Sequence, residues 1–427
     1  MSLKHIFSAL SSPNYRLFTV GHFISNTGYL IETIALHWLV YRLTDSAMFV
    51  GILLFINQGT IFLTSPFSGI LADRFARYKL LIITNIIAAI TSLVLGLAIV
   101  MGFESLWFIF LTQVIGGLVR GIDNPVRNTF VNDLIEKPEH LVNAISLNSS
   151  IFNVAKIIGP AIAAILIPWA GEGVCFLLNG VSFVSIIVVL RIMNHKPQDL
   201  SPKQTNVWGE IKEGFEYAFG YSPVRCIILF VSFIGLFNFS LNVTLPVYAK
   251  QVLEGGADTF GFITTYSGIG ALMAALYMAA KRNAVGLDIT ILAAAVIYSL
   301  AYFTLSFFSG FAAAALIMVV GGFGHVLVFA SASSILQTLS NKEKMGRVIG
   351  IYFMVFMACT TVGSLLTGKL TDTIGAANTI RIVSSVTLVV AVVYSLQIRQ
   401  IRRKSLRRFL TLGIGSEDLR DQYVRNI

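Results

Sequence analysis

Apolar residues along this chain gather into long, nearly unbroken runs, with short polar connections between them. An α-helix crosses a bilayer core with about 20 mostly apolar residues. Twelve segments reach that length, at approximately 17–42, 46–72, 78–101, 106–128, 141–169, 174–193, 224–249, 258–281, 287–308, 311–338, 346–371 and 377–399. None alternates apolar and polar residues as the strands of a membrane barrel do. The expected fold is an all-α membrane protein with twelve transmembrane helices. The first run is too long for the apolar region of a signal peptide and has no small-residue cleavage site after it, so it is expected to remain as span 1.

One connection alone is long. Residues 194–223 carry Pro197, Pro202 and Pro223 and a charge-rich stretch at Glu210–Glu216. The expected organisation is a six-helix bundle over 1–193, a cytoplasmic linker over 194–223, a second bundle over 224–400 and a basic cytoplasmic tail over 401–427. Within the linker, Val207–Phe219 has amphipathic helical spacing and is expected to lie along the membrane surface. The halves echo one another at an offset of about 204–207: Gly28 and Val40-Tyr41 with Gly235 and Val247-Tyr248, Gly116-Gly117 with Gly321-Gly322, Gly159 with Gly363, and Gly171 with Gly375. Two pseudo-symmetric six-helix bundles point to a transporter, whose repeats enclose a midplane site and rock about it.

Composition agrees. Charged residues make up 12% and hydrophobic ones 56%, against about 25% charged in soluble domains. The net charge of +10 is distributed by side. Arg42, Lys250, Lys369 and Arg381 fall on one face of the expected topology, Arg120 and Lys156 within spans, and the other Lys and Arg on the face that holds both termini. The positive-inside rule puts both termini in the cytoplasm, in a plasma (inner) membrane. That distribution accounts for the basicity without nucleic acid, and the run Arg399–Arg408 is expected to rest on anionic lipid headgroups. Cys175, Cys226 and Cys359 are widely spaced in apolar surroundings and read as packing residues. The chain has no Walker, HExxH or GxSxG motif and no Cys/His cluster, so neither an enzyme nor a cofactor or metal is expected. A monomer that moves a small-molecule substrate with protons as coupling ion is the default.

Between spans 2 and 3 stands Gly69-Ile-Leu-Ala-Asp73-Arg74-Phe-Ala-Arg77-Tyr-Lys79. It resembles the G-x-L-A-D-R-x-G-R-K loop of the major facilitator superfamily, with Ala76 in place of the second glycine. Gly69 is expected to let two helices approach closely, and Asp73 to cap a neighbouring helix N-terminus. The resemblance implies that Asp73, Arg74 and Arg77, with Asp133 as partner, latch the two halves in an outward-open state. Its echo in the second half is degraded to Lys281-Arg282-Asn283. A second series, Asn124-Pro125-Val-Arg127, Leu141-Val-Asn143-Ala-Ile-Ser-Leu-Asn148, Asn153-Val-Ala-Lys156-Ile-Ile-Gly159-Pro160 and Cys175-Phe-Leu-Leu-Asn179, resembles the enterobactin-exporter-like branch of siderophore exporters and macrolide-type efflux pumps. Gly159-Pro160 also resembles the antiporter motif of helix 5 and marks an expected kink.

Chemistry-bearing residues concentrate in the first half. In span 1, His22, Ser25, Asn26, Tyr29, Glu32, Thr33 and His37 fall within an arc of about 140°. A stripe this polar must face protein or a water-filled cavity. Interhelical hydrogen bonding without a ligand is the plainer role, and Glu32 is the candidate proton carrier. In span 4, Gln113, Gly116, Gly117, Arg120, Asp123, Asn124 and Arg127 share a face. Arg120 and Asp123 at i, i+3 read as a local ion pair, or as part of the substrate pathway. Lys156, midway along span 5, is expected either to bridge to Glu32 or Asp123 or to meet substrate. Asn238 and Asn242 of span 7, ahead of Pro246, and His325 of span 10 complete the candidate pathway. The expected function is proton-coupled export of a small amphipathic or anionic metabolite such as a siderophore. The alternatives are a multidrug pump for lipophilic cations or macrolides, and an importer or lipid transporter of the same fold.

Overall fold

The computed structural model describes residues 8–135, 140–193, 207–237, 239–281, 286–341 and 344–411. Asn238 lies outside these residues, as does the tail beyond 411. After a 3-10 turn at Ser8–Ser11 come α1 (Pro13–Thr44), α2 (Ala47–Arg74), α3 (Arg77–Val100), α4 (Leu106–Leu134), α5 (Leu141–Ala170) and α6 (Glu172–Ile192). The linker helix α7 (Val207–Gly220) leads to α8 (Ser222–Phe237), a 3-10 segment (Phe239–Val243) and α9 (Leu245–Gln251). Then follow α10 (Ala257–Ala280), α11 (Leu287–Leu305), α12 (Phe311–Leu339), α13 (Met345–Ile374) and α14 (Ala376–Thr411).

Among the described residues, 11 segments are long and apolar enough to cross a membrane. The 32-residue α1 is not one of them, because His22, Ser25, Asn26, Glu32, Thr33 and His37 dilute its hydropathy. It packs chiefly against α6 and α5 instead. The all-α membrane architecture is the expected one, and its one weakly apolar span is the one with the polar stripe.

Span 7 departs from a continuous helix. It is broken between α8 and α9, where Thr244 N donates to the Leu241 carbonyl in a 3-10 bond of 2.8 Å. Pro246 explains the break, since it lacks the N–H that would bond the Asn242 carbonyl one turn earlier.

The chain divides into two compact units, Met1–Thr205 with Leu245–Gly268, and Asn206–Thr244 with Ile269–Ile427. Small residues bring Leu245–Gly268 into the first unit. A Cβ added to Gly261 would stand 2.9 Å from the Pro160 carbonyl oxygen, and one on Gly268 2.6 Å from that of Lys156. On its other side α5 meets α1 through Gly159, whose added Cβ would lie 2.6 Å from the Leu30 Cβ. The helix runs unbroken through Gly159-Pro160.

The internal repeat shows in backbone geometry. Gly171 ends α5 at φ 80°, ψ 169°, and Gly375 ends α13 at φ 82°, ψ 163°. That region is closed to L residues, so both positions require glycine. Gly69 differs from its expectation: among the described residues no atom of another helix lies within 4 Å of a Cβ placed there.

Gly28 and Gly69 therefore make a matched pair. A Cβ on Gly28 would fall 2.7 Å from the Ser182 Cβ and 2.9 Å from Asn179 Oδ1. Gly28→Ala is expected to cost about 1–3 kcal/mol through forced separation of α1 and α6. Gly69→Ala should be neutral or slightly stabilising by helix propensity. Thermal unfolding of both variants in one detergent measures the difference, and equal melting temperatures would contradict the packing described.

Candidate functional site

The first unit holds two polar networks, both anchored on the α1 stripe. One centres on Asp123. Its Oδ1 accepts from Thr84 Oγ1 at 2.7 Å and Asn85 Nδ2 at 2.9 Å, and its Oδ2 accepts from Arg127 Nε at 2.7 Å and also from Arg127 Nη2. Arg127 continues to His22, donating from Nη1 to Nδ1, and reaches Asn85 Oδ1 at 3.4 Å. All five side chains are buried, Asn85 to 1% exposure. The expected Arg120–Asp123 pair is thus replaced by Asp123–Arg127 at i, i+4. Thr84 and Asn85 approach from α3 and turn the carboxylate so that its second oxygen faces the following turn. A buried ion pair persists only when further hydrogen bonds satisfy both ions, and here they do.

The second network centres on Glu32, where α1, α3 and α6 meet. Its Oε2 accepts from Ser92 Oγ and, at 2.5 Å, from Asn179 Nδ2. Asn179 also reaches Ser92 Oγ at 3.2 Å, and Ser182 Oγ reaches Asn179 Oδ1 at 3.2 Å. Glu32 is half-buried and held by neutral donors.

Both acids being engaged, the remaining cations stand apart. The Arg120 guanidinium lies 3.1 Å from the centroid of the Tyr29 ring, and the Lys156 ammonium 4.9 Å from that of Phe152. Neither makes an ion pair with an acid among the described residues, so the expected bridge from Lys156 to Glu32 or Asp123 is absent. Asn26 lies 3.0 Å from His22 Nε2. His37 is buried but belongs to neither network. In span 4, Gln113 accepts from Asn57 Nδ2 at 3.0 Å, and Asn124 is exposed. In the second unit, His325 packs among aromatic rings, 5.5 Å from Tyr298 and 4.9 Å from Phe329 between centroids, and Asn242 is half-buried in the 3-10 segment.

Residues 5–409 match the family profile described as transmembrane secretion effector, of the major facilitator superfamily. The chain belongs to this family of membrane transporters. It is 23% identical over 390 residues to the staphyloferrin A transporter of Staphylococcus aureus, covering 91% of this chain and 97% of that protein. It is 24% identical over 373 residues to the multidrug efflux pump Tap of Mycolicibacterium fortuitum, covering 85% and 90%. A POT family transporter solved with 5-aminolevulinic acid shares the fold, at TM-score 0.75 and 12% identity over 91% of this chain and 97% of that one.

The transporter's loop ends are tied by ion pairs. Arg77 Nη1 donates to both oxygens of Asp133, at 2.8 and 2.9 Å, joining the start of α3 to the end of α4. Arg74 is exposed, and the side chain of Asp73 lies outside the described residues. The residue preceding α3 is Ala76, which offers no side-chain cap. At the opposite ends of these helices, Arg42 bridges Glu104 at 2.5 Å and Glu172 at 2.8 Å.

Thr84-Asn85 and Ser92 are the polar interruptions of an otherwise apolar span 3, a signal of the kind that marked span 1. Glu213 of α7 had no such signal. It pairs with Lys344 at 3.1 Å and Arg347 at 2.8 Å, fastening the linker helix to the start of α13. Tyr217 of α7 adds its hydroxyl, which accepts from Asn341 N at 3.2 Å.

The hydrogen bond from Lys344, and then the charge of Arg347, hold the Glu213 carboxyl below its ordinary value. Its folded-state value lies below the unfolded one, so the clasp contributes above the ordinary glutamate range, about 4.3, and is lost as pH falls through the lowered value. Both partners are partly exposed, which keeps the contribution modest. Protection of the α7 amides, with the intrinsic pH dependence of exchange divided out, is expected to fall on acidification below that range, and Glu213→Gln should show the lowered protection already at neutral pH. Unchanged protection in both would contradict the clasp.

Proposed function

We propose that the protein is a proton-coupled secondary transporter that exports a small amphipathic or anionic metabolite, such as a carboxylate or catecholate siderophore, by alternating access. The observation that carries this reading is the pair of cations without an acid. Within the spans of the first unit stand Arg120, Arg127 and Lys156 against Glu32 and Asp123. Arg127 belongs to Asp123, and Glu32 is held by neutral donors, so positive charge remains at Arg120 and Lys156. A guanidinium stacked on a ring keeps its N–H edge for a carboxylate, which it grips with two hydrogen bonds. Low surrounding polarity strengthens each such contact relative to water. The likeness to a staphyloferrin A transporter supports the same substrate class.

A multidrug pump for lipophilic cations is the second reading. The likeness to Tap favours it, as does Glu32, a carboxylate with no cationic partner among the described residues. In either case both termini are placed in the cytoplasm of the inner membrane, Arg77–Asp133 acts as a latch on the working cycle, and the basic tail meets anionic lipid.

Arg120→Ala and Lys156→Ala are expected to weaken binding of an anionic ligand by about tenfold or more, as for loss of a charge-assisted hydrogen bond. A matched cationic ligand should bind as before. Asp133→Asn should slow transport without changing either affinity. Isothermal titration of the purified variants with citrate and with tetraphenylphosphonium decides. Collapse of cation binding with anion binding intact would establish the second reading instead.

A further inference from the structure

The contact between Arg127 and His22 restricts where a proton can go. A guanidinium only donates hydrogen bonds, so the His22 Nδ1 that receives Arg127 Nη1 carries no hydrogen in this state. The ring hydrogen is then on Nε2, which lies 3.0 Å from Asn26 Nδ2; since two donors cannot bond each other, the Asn26 amide is turned end for end, an exchange that keeps its shape and presents its oxygen to the ring. The ring is fixed further by Phe18, stacked at 5.6 Å between centroids and 19° between planes.

We propose that His22 is the proton-binding residue of this transporter, and that it takes its proton at Nδ1 only when Arg127 lets go. The step forms one N–H bond at Nδ1 and breaks one O–H bond of a hydronium ion, carried in by water that enters as the contact parts and left behind as a neutral water molecule. It breaks one hydrogen bond, from Arg127 Nη1, and no covalent bond of the protein. Imidazolium and guanidinium are both donors and both positive, so the protonated ring and the original contact exclude each other.

This contact belongs to a longer seam. Ser12 Oγ donates to the Leu134 carbonyl at 2.8 Å, Phe18 meets Phe130 edge-on at 5.7 Å, His22 meets Arg127, and Tyr29 lies under Arg120. As numbers rise along α1 they fall along α4, the signature of two antiparallel helices joined by long side chains. His22 and Tyr29 are seven residues apart, as are Arg120 and Arg127, so the proton site and the Arg120–Tyr29 stack lie two turns apart on the same two helices. Loss of the His22 contact lets α4 move against α1 and carries Arg120 with it. Proton uptake and the grip on an anion are thereby linked, a step that rests on the anion reading above.

The other charges that packed elements could bring to His22 are few. On α4 they are Arg127 and Asp123, with Arg120 two turns away along the seam and Asp133 near the helix end, and on α5 Lys156. Arg77 and Lys79 lie in the first turn of α3, Asp73 and Arg74 in the last turn of α2, and Glu172 and Arg191 at the two ends of α6. On α1 itself Arg16 and Glu32 are six and ten residues away, and α9 meets α1 at its far end, through Lys250 to Asp45 at 3.0 Å.

The test uses the full chain in nanodiscs, with 15N-labelled histidine and citrate as probe anion. With six histidines in the chain, the His22 signal is the one missing from His22→Gln or, should that variant fold poorly, His22→Asn. Nδ1 should be bare at about pH 8 and bear a proton at about pH 5, the span in which histidine titrates. Wild-type affinity for citrate should change about tenfold across that span, within the usual size of a coupling between sites. His22→Gln, whose amide oxygen can still accept from Arg127, should bind citrate with only the pH dependence that citrate's own ionisation imposes. A bare Nδ1 throughout, or a variant that keeps the wild-type profile, overturns the proposal while leaving the anion reading intact. A protonating Nδ1 in a protein that binds no citrate at any pH supports the proton site and overturns the anion reading.

Discussion

The Asp123 carboxylate determines how charge is placed in the first unit. Four donors converge on its two oxygens, two neutral ones from α3 and two from Arg127. In an apolar span an unmet carboxylate would be costly, and a half-met one nearly as much. Saturating it ties α3 to α4, commits Arg127, and through Arg127 fixes the hydrogen-bonding state of His22 on α1. What is left over is the positive charge at Arg120 and Lys156, on which the proposed anion reading rests. The substrate reading follows from which charges are already spent.

The two networks serve different ends. Around Glu32 the partners are a serine and an asparagine, both neutral, at a junction where Gly28 lets α6 come within contact of α1. Around Asp123 the partners are charged or titratable, and the contact to His22 has two states with different proton content. Coupling belongs with the second kind of arrangement, because a ligand or proton can bias an equilibrium only through groups that differ between its states.

Length and hydropathy made the helices legible from the sequence, and glycines at fixed offset made the repeat legible, down to the shared backbone geometry of Gly171 and Gly375. The α1 stripe was legible as protein-facing because lipid could not accept it. The choice between Arg120 and Arg127 as partner of Asp123 was not, since both lie on one face of α4 and the choice is made by Thr84 and Asn85 on another helix. Gly69 resembled a packing glycine by its motif alone, while close approach depends on what lies opposite, and among the described residues no other helix reaches it in this state. The break at Pro246 carried a local signal in the missing N–H. The Glu213 clasp carried none, because a surface charge gives no sign in sequence of which distant helix it will meet.

The most direct measurement of the account as a whole is solute counterflow in proteoliposomes preloaded in turn with citrate and with tetraphenylphosphonium, with and without an imposed pH gradient. The account predicts that citrate exchanges without a gradient, that a gradient drives its net movement, and that the lipophilic cation does neither. Exchange of the cation with no movement of citrate would contradict it, and would place Arg120 and Lys156 among the residues that only balance charge.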